Sequence, residues 1–242
     1  MNLPENVEQG LKQYVSAAQA AFGPQLVSVV LYGSAAEGRL RATSDVNTIT
    51  IVKSYSSEAA QSIAPTLTLL AAAIRLETMF LLEAEVAQAL LSFPVKFADI
   101  RHRKVVLHGA DPFASVVIPR PALIARLRQV LLNTVLRTRQ SYALRCEQEE
   151  RMVELAADLA GPMRSAGAAL LELQGKTAAS PREALEQLAL AAGKDEWTAA
   201  VRLLPEARER RPFPAGKTAA SVVFGLLELA QHLLEAANKL EP

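Results

Sequence analysis

The segment from Leu31 to Val52 limits the fold more than any other stretch of this chain. An apolar, β-branched run, QLVSVVLY at residues 25–32, stops at Gly33-Ser34. After a spacer that contains Gly38, Ser44-Asp45-Val46-Asn47 opens a second run, VNTITIV, at 46–52. The first run reads as a buried strand. The second alternates strictly, with Val46, Thr48, Thr50 and Val52 on one face and Asn47, Ile49 and Ile51 on the other. Gly33 permits a tight turn and close backbone approach to a ligand, and Ser34 with nearby amides suits phosphate oxygens. Asp45 and Asn47, two apart on a strand, project to one face, the spacing at which two side chains share a metal ion.

The flanking pattern turns this segment into a domain. Val7, Leu11, Tyr14, Val15, Ala18 and Phe22 fall at helical spacing, and Gly23-Pro24 ends that helix. A second helix is expected over Ser57–Ala73, a strand over Thr78–Leu82 and a short helix over Glu83–Leu91. Two more strands are expected over Pro94–Arg101 and Lys104–His108, closed by Gly109-Ala110-Asp111-Pro112. Strands alternating with helices define an α/β (α+β) mixed-sheet domain, placed at 1–115. Beyond Pro121 apolar residues recur at three and four, and nothing reads as a strand. Helices are expected at 121–148, 150–174, 181–193, 196–209 and 216–239, with Pro162 kinking or splitting the second. Residues 116–242 thus read as an all-α helical bundle domain.

Composition narrows the function classes. Half of the 242 residues are hydrophobic but only 5% are aromatic, which fits an aliphatic, largely helical core. A net charge of +1 gives no bulk attraction to nucleic acid or membrane. The single cysteine, Cys146, excludes an internal disulfide and a multi-cysteine zinc site. The apolar stretch Ile63–Ile74 is broken by Pro65 and is too short to span a bilayer, and no secretory leader is visible, so a cytoplasmic location is expected. There is no Walker-type phosphate loop, no histidine pair at zinc spacing and no nucleophile elbow. Arg101, His102, Arg103, Lys104 and His108 form a basic corner. The pairs Arg126/Arg137 and Arg128/Arg139 each share a helix face that would suit a polyanion if it lined a cleft. Trp197 reads as a bundle-packing residue, and His232 as a helix residue with no visible partner.

Gly33, Ser34, Gly38, Ser44 and Asp45, in this order and setting, resemble the motif of the nucleotidyltransferase superfamily related to DNA polymerase β, and especially its small bacterial members. The stretch Phe93–Ile100 with Val105–Pro112 is similar to a bacterial subgroup that carries a helical C-terminal domain. The resemblance spans about residues 25–113 and, for the bundle, only its general character. It implies transfer of a nucleotidyl group from a nucleoside triphosphate, with magnesium ions held by three carboxylates. Carried onto this sequence, Asp45 and Asn47 are the metal ligands. Gly33, Ser34, Gly38, Ser44 and Lys96 are nucleotide-binding candidates, and Asp45, Asn47 and Asp99 catalytic ones.

The departures bear on the chemistry. Asn47 stands where the motif has an acid, and Lys96 where the subgroup has one, so Asp45, Asn47 and Lys96 together are formally neutral. An ammonium about 4 Å from a divalent ion costs on the order of 8 kcal/mol at an effective dielectric near 20. A neutral amide is also a weaker ligand than a carboxylate for a hard cation. Lys96 is therefore expected either as a solvated lysine or as a cation in the space of a lost metal. Asp99 lies an odd number of residues from Lys96 and would need a bulge to share its face on a strand. Glu83 and Glu85 carry no spacing that favours an inward role.

Two functional expectations stand side by side. One is a nucleotidyltransferase-like protein with a degenerate metal site, moving a nucleotidyl group to an unnamed acceptor. The other is a noncatalytic descendant that binds a nucleotide or a protein. The expected partners are a nucleoside triphosphate or other phosphate ligand, with homodimerisation through the bundle as a further expectation.

Overall fold

The computed structural model describes residues 3–41, 44–115 and 117–241. They divide into two compact units, one of Met1–Phe93 with Ile100–Val117, the other of Pro94–Asp99 with Ile118–Pro242.

The first unit is built on a sheet. Helix α1 (Glu5–Phe22) leads into β1 (Leu26–Tyr32), which pairs antiparallel with β2 (Val46–Val52). Helix α2 (Ser57–Ile74) crosses over to β3 (Leu76–Leu82), which runs parallel to β2. Helix α3 (Val86–Ser92) and helix α4 (Pro94–His102) follow, and β4 (Lys104–Gly109) returns antiparallel to β1. The sheet order among the described residues is β3-β2-β1-β4. Every residue of β2 except Asn47 is buried, so both faces of this central strand are covered.

Period-2 geometry assigns the faces. The Tyr14 hydroxyl of α1 hydrogen-bonds the hydroxyls of Thr50 and of Thr78 (2.8 Å), so the face with Val46, Thr48, Thr50 and Val52 looks toward α1. There Val7, Leu11, Tyr14, Ala18 and Phe22 join Ile63, Leu70 and Ile74 of α2 in one core with Val29, Leu31 and Leu76. Val15, expected among them, is only partly buried. Asn47, Ile49 and Ile51 point the other way, and both isoleucines are fully buried. At the far end of β4, Gly109 takes φ 76° opposite Ser28, and a Cβ there would lie 2.0 Å from the Val27 carbonyl oxygen.

Two expectations for this unit are corrected. Residues 94–101 are helical, with Pro94 at the first helical position, where its missing N–H costs nothing. Val95 and Ala98, three apart on that helix, bury into the helical unit's core. The third strand begins at Leu76 and not at Thr78, because α2 ends in a single left-handed residue, Arg75 (φ 54°), and the chain enters β3 at once.

Among its described residues the second unit holds helices and no strand: besides the α4 residues Pro94–Asp99 it contains α5 (Arg120–Arg145), α6 (Glu149–Leu173), α7 (Pro181–Ala191), α8 (Asp195–Arg202), α9 (Leu204–Arg208) and α10 (Ala219–Asn238). Helices α5, α6 and α10 pack on one another, α7 and α9 lie against α6, and α8 against α7 and α10. Helix α6 runs unbroken through Pro162, since buried residues on both sides of it, Leu159, Ala160, Met163 and Ala166, keep it in the core. The helix expected over 196–209 is two, separated at Leu203 ahead of Pro205. Helix α10 is long and apolar enough to cross a bilayer, yet its Val222, Val223, Leu226, Leu229, Ala230 and Leu233 are buried in the bundle core.

Polar side chains close the helix ends. The Arg128 guanidinium donates to the carbonyls of Ala237 (3.1 Å), Asn238 (3.3 Å) and Leu240 (2.8 Å), and Arg120 to that of Leu173 (3.0 Å). Arg128, read from sequence as polyanion-suited, is thus spent on the orphan carbonyls at the end of α10. Glu149 accepts the first amide of α10, Ala219 N–H, at 2.7 Å. His232 does have a partner: its ring lies 5.3 Å from that of Trp197, whose indole N–H donates to Glu228 at 3.1 Å.

Candidate functional site

One end of the sheet gathers the polar residues of the first unit. The registers pair Asn47 with Glu77 on one side and with Tyr32 on the other, while Tyr32 pairs with Lys104. Directly paired residues point to the same face, so Glu77, Asn47, Tyr32 and Lys104 form a row across all four strands. The row lies on the face opposite α1.

The chain leaves β1 at the end of that row into the turn Gly33–Gly38. Gly33 (φ 78°) and Gly38 (φ 67°) both adopt the left-handed conformation that glycine accepts without strain. The turn winds like a short helix: Glu37 N–H donates to the Gly33 carbonyl (3.2 Å), Gly38 to Ala35 (3.1 Å) and Arg39 to Ser34 (2.9 Å). Gly33 N–H itself donates to the Arg103 carbonyl at 3.0 Å, and the Arg103 guanidinium meets Glu37 at 3.2 Å. These two bonds moor the turn to the start of β4. Among the described residues nothing accepts the amides of Ser34, Ala35 and Ala36. Three successive uncommitted N–H groups at the start of a helical turn are suited to an anion.

Ser44 is buried, and its hydroxyl accepts the Arg41 amide at 3.3 Å while its own amide donates to the Arg41 carbonyl at 2.9 Å. Ser44 therefore shapes the loop that delivers Asp45. Asp45 precedes Asn47 by two residues, and the Asn47 side-chain amide donates to the Asp45 carbonyl at 3.3 Å. The Asp45 carboxylate is engaged by Arg75, whose Nε and Nη2 reach the same oxygen, Oδ1, at 2.9 and 2.8 Å.

Glu77 and Arg75 join the site only in the folded chain, and no motif in the sequence marks them. Glu77 is exposed and in register with Asn47, which makes it the second carboxylate of the site. The signal that could have found it is Leu76, an apolar residue directly before Glu77 that extends the strand-forming run TMFLL by two residues. Lys96 and Asp99, by contrast, are not strand residues. They sit three apart on α4, so they share a helical face, and both cluster with the helical unit. The basic corner is largely paired, with Arg103 on Glu37 and the Lys104 ammonium on Asp111 at 3.1 Å.

Asp45, Asn47 and Glu77 offer two carboxylates and one amide, and a guanidinium already cancels the charge of Asp45. No group of three or more His, Cys, Asp or Glu side chains converges among the described residues. This set does not fit a pair of magnesium ions, which requires carboxylates to offset four positive charges.

A four-stranded mixed sheet whose first turn and second strand meet at an acidic end, followed by a helical bundle, is the nucleotidyltransferase fold with a helical C-terminal domain. The chain is similar over its length to a spectinomycin adenyltransferase from Enterococcus faecialis, whose crystal structure holds ATP and spectinomycin. The likeness has a TM-score of 0.58 at 12% identity and covers 96% of this chain and 99% of that one. No family model matches the sequence, and no curated protein matches it.

Proposed function

We propose that this chain binds a nucleoside triphosphate at the acidic end of the sheet, as a nucleotidyltransferase-type protein whose metal-dependent transfer chemistry is degenerate. The observation that carries this reading is a juxtaposition. The turn with the free amides of Ser34, Ala35 and Ala36 leaves β1 beside Asn47, Asp45 and Glu77, all at one sheet end. The amides suit phosphate oxygens, and Ser34 adds a hydroxyl donor. ATP is the nucleotide to try first, since the similar adenyltransferase was solved with it.

The same site argues against efficient transfer. In-line displacement of pyrophosphate needs the charge on the leaving oxygens neutralised as the bond breaks. Asp45, bridged to Arg75, and the neutral Asn47 hold a divalent ion poorly, so the chain's own residues bind and orient phosphates without driving the step.

Two measurements on the full chain test this: filter binding of radiolabelled ATP, and release of pyrophosphate in magnesium with a panel of hydroxyl-bearing acceptors. Retained ATP with no pyrophosphate above background supports the proposal. Rapid magnesium-dependent pyrophosphate release would instead show a competent enzyme, and no retention of any nucleoside triphosphate would remove the nucleotide reading altogether.

A further inference from the structure

The ion pair between Arg75 and Asp45 is built in by the backbone. Arg75 is the single left-handed residue between α2 and β3, and its carbonyl accepts the Val46 amide at 3.0 Å. The parallel register that pairs Asn47 with Glu77 places Arg75, two residues before Glu77, beside Asp45, two residues before Asn47. Both guanidinium bonds go to one carboxylate oxygen, Oδ1, through Nε and Nη2. A guanidinium carries five N–H donors, so these bonds leave Nη1 and part of Nη2 uncommitted. Among the described residues the Arg75 guanidinium has no other partner, and its side chain is 57% exposed.

We propose that the Arg75 guanidinium takes the place of the metal ion, so that the chain binds the phosphates of a nucleotide through Arg75 and the turn amides, independently of divalent cations. This rests on the nucleotide-binding reading above. Asp45 orients the guanidinium and reduces the rotamer freedom it would lose on binding, and the free edge presents directional donors to phosphate oxygens. The guanidinium beside Asp45 also repels an incoming dication. The family resemblance singles out Lys96 as a cation for this place, but the residue the backbone delivers to Asp45 is Arg75.

Calorimetric titration of the full chain with ATP, once in excess EDTA and once in magnesium, tests the inference. The two dissociation constants are expected to agree within about threefold, since a site without a metal gains little from one. Arg75→Gly is the variant of choice, because glycine suits φ 54° and keeps the turn while the guanidinium is lost. It is expected to weaken binding in EDTA by about tenfold to a hundredfold, the worth of charge-assisted hydrogen bonds, and Arg75→Lys by less. Melting curves of both variants close to that of the parent protein establish that they fold.

Binding that tightens tenfold or more with magnesium overturns the proposal while the nucleotide reading stands. So does an Arg75→Gly chain that binds ATP in EDTA as well as the parent protein does. If no heat of ATP binding appears in either buffer, the nucleotide reading fails and this inference falls with it.

Discussion

Tyr14 offers the sharpest test of how the back of the sheet is held. It is fully buried on α1, and its hydroxyl bonds those of Thr50 on β2 and Thr78 on β3. Tyr14→Phe keeps the ring and removes only that oxygen. Each lost hydrogen bond is worth about 1 kcal/mol net. The two threonine hydroxyls stay 3.2 Å apart and satisfy each other, so neither is left stranded. The expected loss is therefore about 1–2 kcal/mol. Burial pushes the Tyr14 hydroxyl above its ordinary pKa of 10.0, and the threonine hydrogen bonds only partly offset this. A folded pKa above the unfolded one means that the stability is fully present below pH 10 and is lost as pH rises through the folded value. The gap between parent and variant should thus hold from neutral pH to pH 10 and narrow above it. Hydrogen exchange at the amides of β1 and β2 reads this out on the sheet unit alone, avoiding a two-state assumption for a chain with two units. Unchanged protection in Tyr14→Phe near neutral pH, or a gap that does not narrow in alkali, would refute the reasoning.

Four further perturbations probe other parts of the structure. Gly109→Ala forces a Cβ to within 2.0 Å of the Val27 carbonyl oxygen at a positive φ, and should cost more than about 3 kcal/mol, seen as lost exchange protection across β1 and β4. Glu149→Ala removes the carboxylate that accepts the first amide of α10 and should cost about 1–2 kcal/mol in the thermal unfolding of the bundle. Combining Asn47→Asp with Arg75→Gly sets three carboxylates at the sheet end and removes the competing cation. Manganese should then bind, as measured by electron paramagnetic resonance, where the parent chain shows none, and Arg75→Gly by itself should shift stability by less than about 1 kcal/mol because the exposed pair is weak and glycine relieves the turn.

What sequence alone determined here was local. The strands β1 and β2, the turn at Gly33 and the helical periods of α1, α2 and the bundle depend on side-chain spacing within one element, which period 2 or 3.6 makes readable. Where two periods compete over a short span, reading fails: PVKFADIR alternates enough for a strand, and only packing of Val95 and Ala98 into the helical core decides for α4. The partners of Asp45 were out of reach for a different reason. Glu77 joins Asn47, and Arg75 joins Asp45, through the register between β2 and β3, two strands separated by the whole of α2. Register is set by burying Leu76 and Leu81 beside Val46 and Ile51, a long-range contact that no local pattern encodes. Sequence thus pointed to a candidate site at Asp45 and Asn47 and led to the expectation of too few acids there. The tertiary structure decided which cation stands in it, because only the sheet brings Arg75 to Asp45.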